Sequence, residues 1–188
     1  MADRLPSRRI VTGHDENGKS IILSDGTPPN IHNKGTLVDF VEMWVTDQVP
    51  VNITATEPEP TDGPMVVPPP AGGARIRYND FWPGHIYKLP ERDDGRHRMM
   101  HRTKSLDFGI VLQGEIWMYL DEEKVLLKPG DLVVQRGTDH AWENKSDEVC
   151  RMAFILLSGE FSPELRTTLP EMLELRTGAV RNDPPAKV

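Results

Sequence analysis

The chain has 188 residues, with 29 acidic against 22 basic side chains and a formal charge of −7. That length can bury enough apolar surface for one domain to fold without disulfides or metal staples, so any bound metal would serve function. The acidic balance offers no basic face to neutralise a phosphate backbone, which excludes nucleic acid as an expected partner.

In chain order, residues 9–12 and 20–23 are short strand-like runs on either side of Asp15, Glu16, Asn17 and Gly18. An Asn-Gly pair between such runs suits a turn with positive φ, so the chain is expected to open with a hairpin. After the Asp25-Gly26 turn, residues 37–45 are rich in β-branched and aromatic side chains and predict a strand, with Trp44 read as pointing inward. Prolines at 50, 58, 60, 64, 68, 69 and 70 mark residues 50–73 as a loop or extended arm. From residue 75 the pattern is one of short strands, at 75–78, 85–89, 108–112, 116–120, 124–127, 131–134, 140–144 and 149–157. Many short strands separated by turn signals indicate a sandwich or closed barrel. Ser162, Pro163 and Glu164 read as the cap, first-turn proline and first-turn acid of a short helix that Pro170 limits, and the last ten residues are expected to fray.

The expected organisation is a strand-rich arm and proline-rich loop over 1–74 wrapping a barrel over 75–158, with a short helix and tail over 159–188. Cys150, the only cysteine, lies in an apolar run and is read as a buried, inert thiol. The amino terminus has no apolar region behind its basic residues, and the apolar run 152–157 is far too short to span a bilayer. The expectation is a cytoplasmic protein with no membrane partner.

Two stretches carry the chemistry. The first contains Gly95, His101, Thr103, Asp107 and Gly114; the second contains Gly130, Gln135, Gly137, His140 and Asn144. The first resembles the leading motif of the cupin family: glycine, five residues, His-x-His, three or four residues, glutamate, six residues, glycine. Thr103 stands where the second histidine is expected, and Asp107 where the glutamate is expected. The second resembles the other cupin motif from Gly137 through His140 to Asn144, with Gln135 in place of its proline and a leading gap one residue shorter. Fifteen residues separate the motifs, as in the smaller cupins. The resemblance covers about half the chain and implies an all-β cupin fold, a double-stranded β-helix or jelly-roll barrel. It also implies a homodimer in which amino-terminal strands extend the partner's sheet.

Strand geometry agrees with that picture, since alternate residues share a face: His101 with Thr103, and His140 with Trp142 and Asn144. The resemblance makes His101, Asp107 and His140 the expected metal ligands and catalytic groups. Two imidazoles and a carboxylate suit a divalent first-row cation such as Fe, Mn, Ni or Zn, and three protein ligands leave positions open for a substrate. Asp107, one methylene shorter than glutamate, could instead hold a neighbouring backbone group or Arg102. His97 shares parity with His101, but four residues of strand put them about 13 Å apart, too far for one ion, so His97 is read as a rim residue. Thr103, Trp44, Tyr87, Trp117 and Trp142 are candidates for the substrate pocket, as pockets are mostly apolar with a few polar groups. Arg96, Arg98, Arg102 and Lys104 form a basic segment, either a rim that attracts a carboxylate or a solvated face.

The expected function is a metal-dependent cupin enzyme acting on a small organic acid, keto compound or phenol, of decarboxylase, isomerase or dehydratase, or dioxygenase type. Two rivals stay open. One is a metabolite-binding cupin without metal or catalysis; the other is a metal-free enzyme in which His101 or His140 moves a proton and Asp107 orients it.

Overall fold

Asp15 closes the first hairpin, accepting hydrogen bonds from the backbone N–H of Asn17 at 2.8 Å and of Lys19 at 2.9 Å, while Gly18 supplies the positive φ of 74°. The strands it joins are β1 (Arg9–His14) and β2 (Ser20–Gly26). The computed structural model describes residues 5–32, 37–88, 92–171 and 180–181, with backbone alone at 86–88 and 180–181.

The remaining strands are β3 (Ile31–His32), β4 (Val38–Thr46), β5 (Ala74–Phe81), β6 (Tyr87–Lys88), β7 (Ser105–Gln113), β8 (Ile116–Tyr119), β9 (Lys124–Leu127), β10 (Leu132–Arg136), β11 (Ala141–Glu143), β12 (Cys150–Ser158) and β13 (Val180–Arg181). Six form one antiparallel sheet in the order β10-β7-β12-β5-β4-β3, and three form a second in the order β11-β8-β9. The all-β expectation holds, and β4 is an integral strand of the larger sheet, paired along its length with β5. Where a strand over 85–89 was expected, Pro83 and Gly84 instead lead into a 3-10 turn, Gly84–Ile86, before the two-residue β6. β13 pairs with β6 within the tail expected to fray, whose other residues lie outside the described ones.

Burial explains why the sheets meet. Along β7 buried positions alternate with half-buried ones, so Ser105, Asp107, Gly109 and Val111 face inward; on β8 it is Ile116 and Met118. The apolar ones, Val111, Ile116 and Met118, build one core between the two sheets with Phe40, Phe81, Met152 and Phe154. Each fully buried aliphatic or aromatic side chain there contributes roughly 1.5–3 kcal/mol. The outer face of the large sheet carries a buried ion pair, Arg151 with Asp80 at 2.6 Å, and the same guanidinium donates to the carbonyls of Leu5 and Pro6. Helix α1 (Pro163–Thr168) starts at Ser162, whose hydroxyl accepts from the Leu165 N–H. Among the described residues no helix is long and apolar enough to cross a membrane.

Candidate active site

His101 and His140 face each other across the barrel wall as an isolated antiparallel bridge, each backbone N–H donating to the other's carbonyl at 2.9 Å. This close pairing holds the two imidazole centroids 4.2 Å apart. Each ring has its Nδ1 at 2.9 Å from a backbone carbonyl, that of Met99 for His101 and of Thr138 for His140. A carbonyl only accepts, so Nδ1 carries the proton in both rings and Nε2 keeps its lone pair. Burial lowers the pKa of His101; burial and the neighbouring His101 lower that of His140 to about 3. The pair is neutral at physiological pH, with two basic nitrogens at a shared cavity.

Asp107 enters the same cavity from β7, and burial pushes its carboxyl up to about 6. Its Oδ2 accepts from Gln135 Nε2 at 2.8 Å and from the Thr103 hydroxyl at 3.4 Å, and Ser105 in turn donates to Thr103 at 2.9 Å. Asp107 Oδ1 is buried without a hydrogen-bond partner among the described residues. The cavity, of about 80 Å³, is walled beyond these groups by Phe81, Trp82, Trp142 and Phe154. Trp142 meets Phe154 edge-on at 5.5 Å and His140 at 6.1 Å.

The sequence-expected residues divide clearly. His101, His140, Asp107, Thr103 and Trp142 line one cavity. The three expected ligands nevertheless do not close on one point: among the described residues no group of three His, Cys, Asp or Glu side chains is placed to hold a metal ion. The short Asp107 side chain is engaged by Gln135 instead. Of the three expected ligands, the two imidazoles are the pair that the fold brings together, and the carboxylate is not placed with them to hold a cation.

Trp44 is not in the cavity, because a β-bulge between Glu42 and Trp44 pairs Trp44 with Ile76 rather than with an inward residue, and it lies beneath Arg9 at 5.7 Å. Trp117 alternates with the buried Ile116 and Met118, so it sits on the outer face under Lys124. The Tyr87 side chain lies outside the described residues. His97 is at the cavity wall, stacked on Tyr119 at 4.5 Å, with its Nε2 3.6 Å from a Glu143 carboxylate oxygen. The basic segment is spent on ion pairs: Arg102 and Arg96 with Asp139, Lys104 with Glu160, and Arg98 with Glu143.

Arg77 and Asn79, which also line the cavity, went unread in the sequence. Their shared parity with Phe81 on β5 was the available signal.

Two antiparallel sheets enclosing a buried histidine pair define a small-barrel protein with an internal cavity. The chain belongs to the cupin family: the cupin domain matches residues 86–158. Phomopsin biosynthesis cluster protein C' of Diaporthe leptostromiformis is 34% identical over 166 residues, 84% of this chain and 80% of that protein. Cupin-domain-containing oxidoreductase fogC of Aspergillus ruber is 30% identical over 161 residues, 79% of this chain and 71% of that protein. Among solved structures, the cupin domain of Schizosaccharomyces pombe Cnp3 aligns with a TM-score of 0.44 at 11% identity, over 89% of this chain and 98% of that one.

Proposed function

We propose that this chain is a cupin enzyme acting on a small organic acid, keto compound or phenol, assisted by a divalent first-row cation held at Nε2 of His101 and His140. The observation that carries the reading is the fixed tautomer: both Nδ1–H groups are tied to backbone carbonyls, which leaves two basic Nε2 atoms at a cavity with aromatic walls. Relatives named as oxidoreductases, from Aspergillus ruber and Hypocrea virens, support an enzyme role. A cation bound there would supply Lewis acidity toward an oxygen ligand. The protein itself orients the imidazoles through Met99 and Thr138, shields the site with Trp142 and Phe154, and holds Asp107 Oδ1 ready to take or return a proton.

Elemental analysis of untagged protein purified without chelator tests the metal. His101→Ala and His140→Ala should each lower bound metal by about an order of magnitude while circular dichroism stays that of the parent, and His97→Ala should retain it. Equal metal in all four proteins would remove the site.

A second reading is favoured by one observation, the engagement of Asp107 by Gln135 and Thr103 in place of a cation. In it the enzyme works without metal, and Asp107, its carboxyl near 6, exchanges the proton with substrate. Activity that survives exhaustive chelation would select this reading.

A further inference from the structure

Among the described residues, five buried polar atoms around the cavity have no hydrogen-bond partner: Asp107 Oδ1, Gln135 Oε1, Asn79 Oδ1, Arg77 Nε and Trp82 Nε1. Buried groups of this kind are costly unless something meets them, so their arrangement describes what the cavity is built to hold. Strand register sorts the residues that carry them. Gln135 lies beside Asp107, and Asp107 beside Leu156; one step along, Phe154 lies beside Arg77 and Arg77 beside Glu42; then Asn79 lies beside Phe40, and finally Phe81 beside Val38. The sheet thus runs from a polar end, next to Thr103, to an aromatic end next to Trp142, which packs on Phe81 at 6.3 Å.

The polar end has no charge to spare. Arg77 and Arg75 both reach Glu42, at 3.2 Å and 3.0 Å, and the Asp107 carboxylate acts on Arg77 through space, so two cations stand against two carboxylates. The rim cations are paired as well. Of the unmet atoms, those on Asp107 and Gln135, the residues bonded into the Thr103 network, are acceptors, whereas the donors Arg77 Nε and Trp82 Nε1 belong to residues outside that network. Gln135 gives its amide N–H to Asp107 Oδ2, which fixes the amide orientation and leaves Oε1, like Asp107 Oδ1, an unmet acceptor at this end. A carboxylate entering here would bring an uncompensated charge against two acceptor oxygens, whereas a hydroxyl would bring the missing donor.

We infer that the ligand of this cavity enters with a neutral hydroxyl head, phenolic or enolic, toward Asp107 Oδ1 and Gln135 Oε1, and with its planar apolar body toward Phe81 and Trp142. The inference rests on the reading of the cavity as a substrate site, and it selects the phenol over the organic acid.

Calorimetric titration with phenol, anisole and benzoate tests it, on the protein as purified and after chelation. Phenol should bind roughly tenfold more tightly than either of the others in both preparations, because only phenol donates to the acceptor pair. Gln135→Leu should bring phenol down to the level of anisole. Asp107→Asn, whose side-chain carbonyl keeps the Gln135 bond and turns its N–H₂ toward the cavity, should reverse the preference toward benzoate, a result that does not depend on the first variant folding. Anisole or benzoate binding as well as phenol would overturn the inference and leave the enzyme reading in place. If none of the three binds, the inference falls and the enzyme reading is confined to organic acids and keto compounds.

Discussion

The Cys150 thiol, enclosed at the start of β12, is pushed up to about 12 by burial and then by Asp80 and Glu115. Thiolate is the reactive species, so native protein should resist iodoacetamide at mildly alkaline pH and react fully once denatured; rapid native labelling by mass spectrometry would contradict the burial. His140 makes the fold lose stability in acid. Its folded value is depressed from 6.5 to about 3, so between those values the unfolded chain binds a proton that the folded chain refuses. Its effect is absent above 6.5 and grows as pH falls through that window, removing up to about 1.4 kcal/mol of stability per pH unit. Asp107 works the other way. Its carboxyl is raised from 3.8 to about 6, so the folded chain holds a proton that the unfolded chain releases, and its share of stability is lost as pH rises through about 6. In chelated protein, His140→Gln should flatten the acid side of the profile read by urea denaturation. An unchanged slope would mean that the imidazole is not buried neutral.

At the scale of elements, the turn between β7 and β8 depends on Gly114. Its φ is 72°, and a Cβ there would stand 2.8 Å from the Val149 carbonyl oxygen and 2.9 Å from Cys150 Cα. Gly114→Ala combines left-handed strain with a backbone clash and should cost roughly 2–4 kcal/mol, seen as a lower denaturation midpoint at constant m-value. The same glycine closes the first sequence motif, and such local spacing is why the histidine pair, an isolated bridge beside the named strands, was legible. Trp44 was misread for the converse reason. Strand parity assumes an unbroken ladder, and the bulge after Glu42 moves every later side chain of β4 to the opposite face. The partner of Asp107 was equally hidden, because Gln135 reaches it only through the β10–β7 register, a tertiary pairing that no local pattern encodes.

In the whole molecule, the β1–β2 hairpin forms a two-stranded sheet of its own, with Ile10 49%, Ile21 41% and Ile22 62% exposed. Two strands alone are marginally stable in water and gain most from covering an apolar face or an open sheet edge. The large sheet has such an edge at β10, where Leu132 and Val134 are more than half exposed. These surfaces are mutually compatible in kind, and we propose that their pairing between two copies would give the homodimer expected from the sequence. Light scattering on the full chain should give twice the 21.2 kDa of one protomer. Deleting residues 1–35 should yield monomer or aggregate. That deletion also strips the Leu5 and Pro6 carbonyls from Arg151 and so perturbs the fold itself. Ile22→Lys isolates the surface, because Ile22 is the most exposed apolar side chain of β2 and a lysine there stays solvated without disturbing the ladder. The variant should lose the dimer and keep the parent's circular dichroism and ligand affinity. A parent chain that scatters as a monomer, or an Ile22→Lys protein that remains dimeric, would move the association away from the arm.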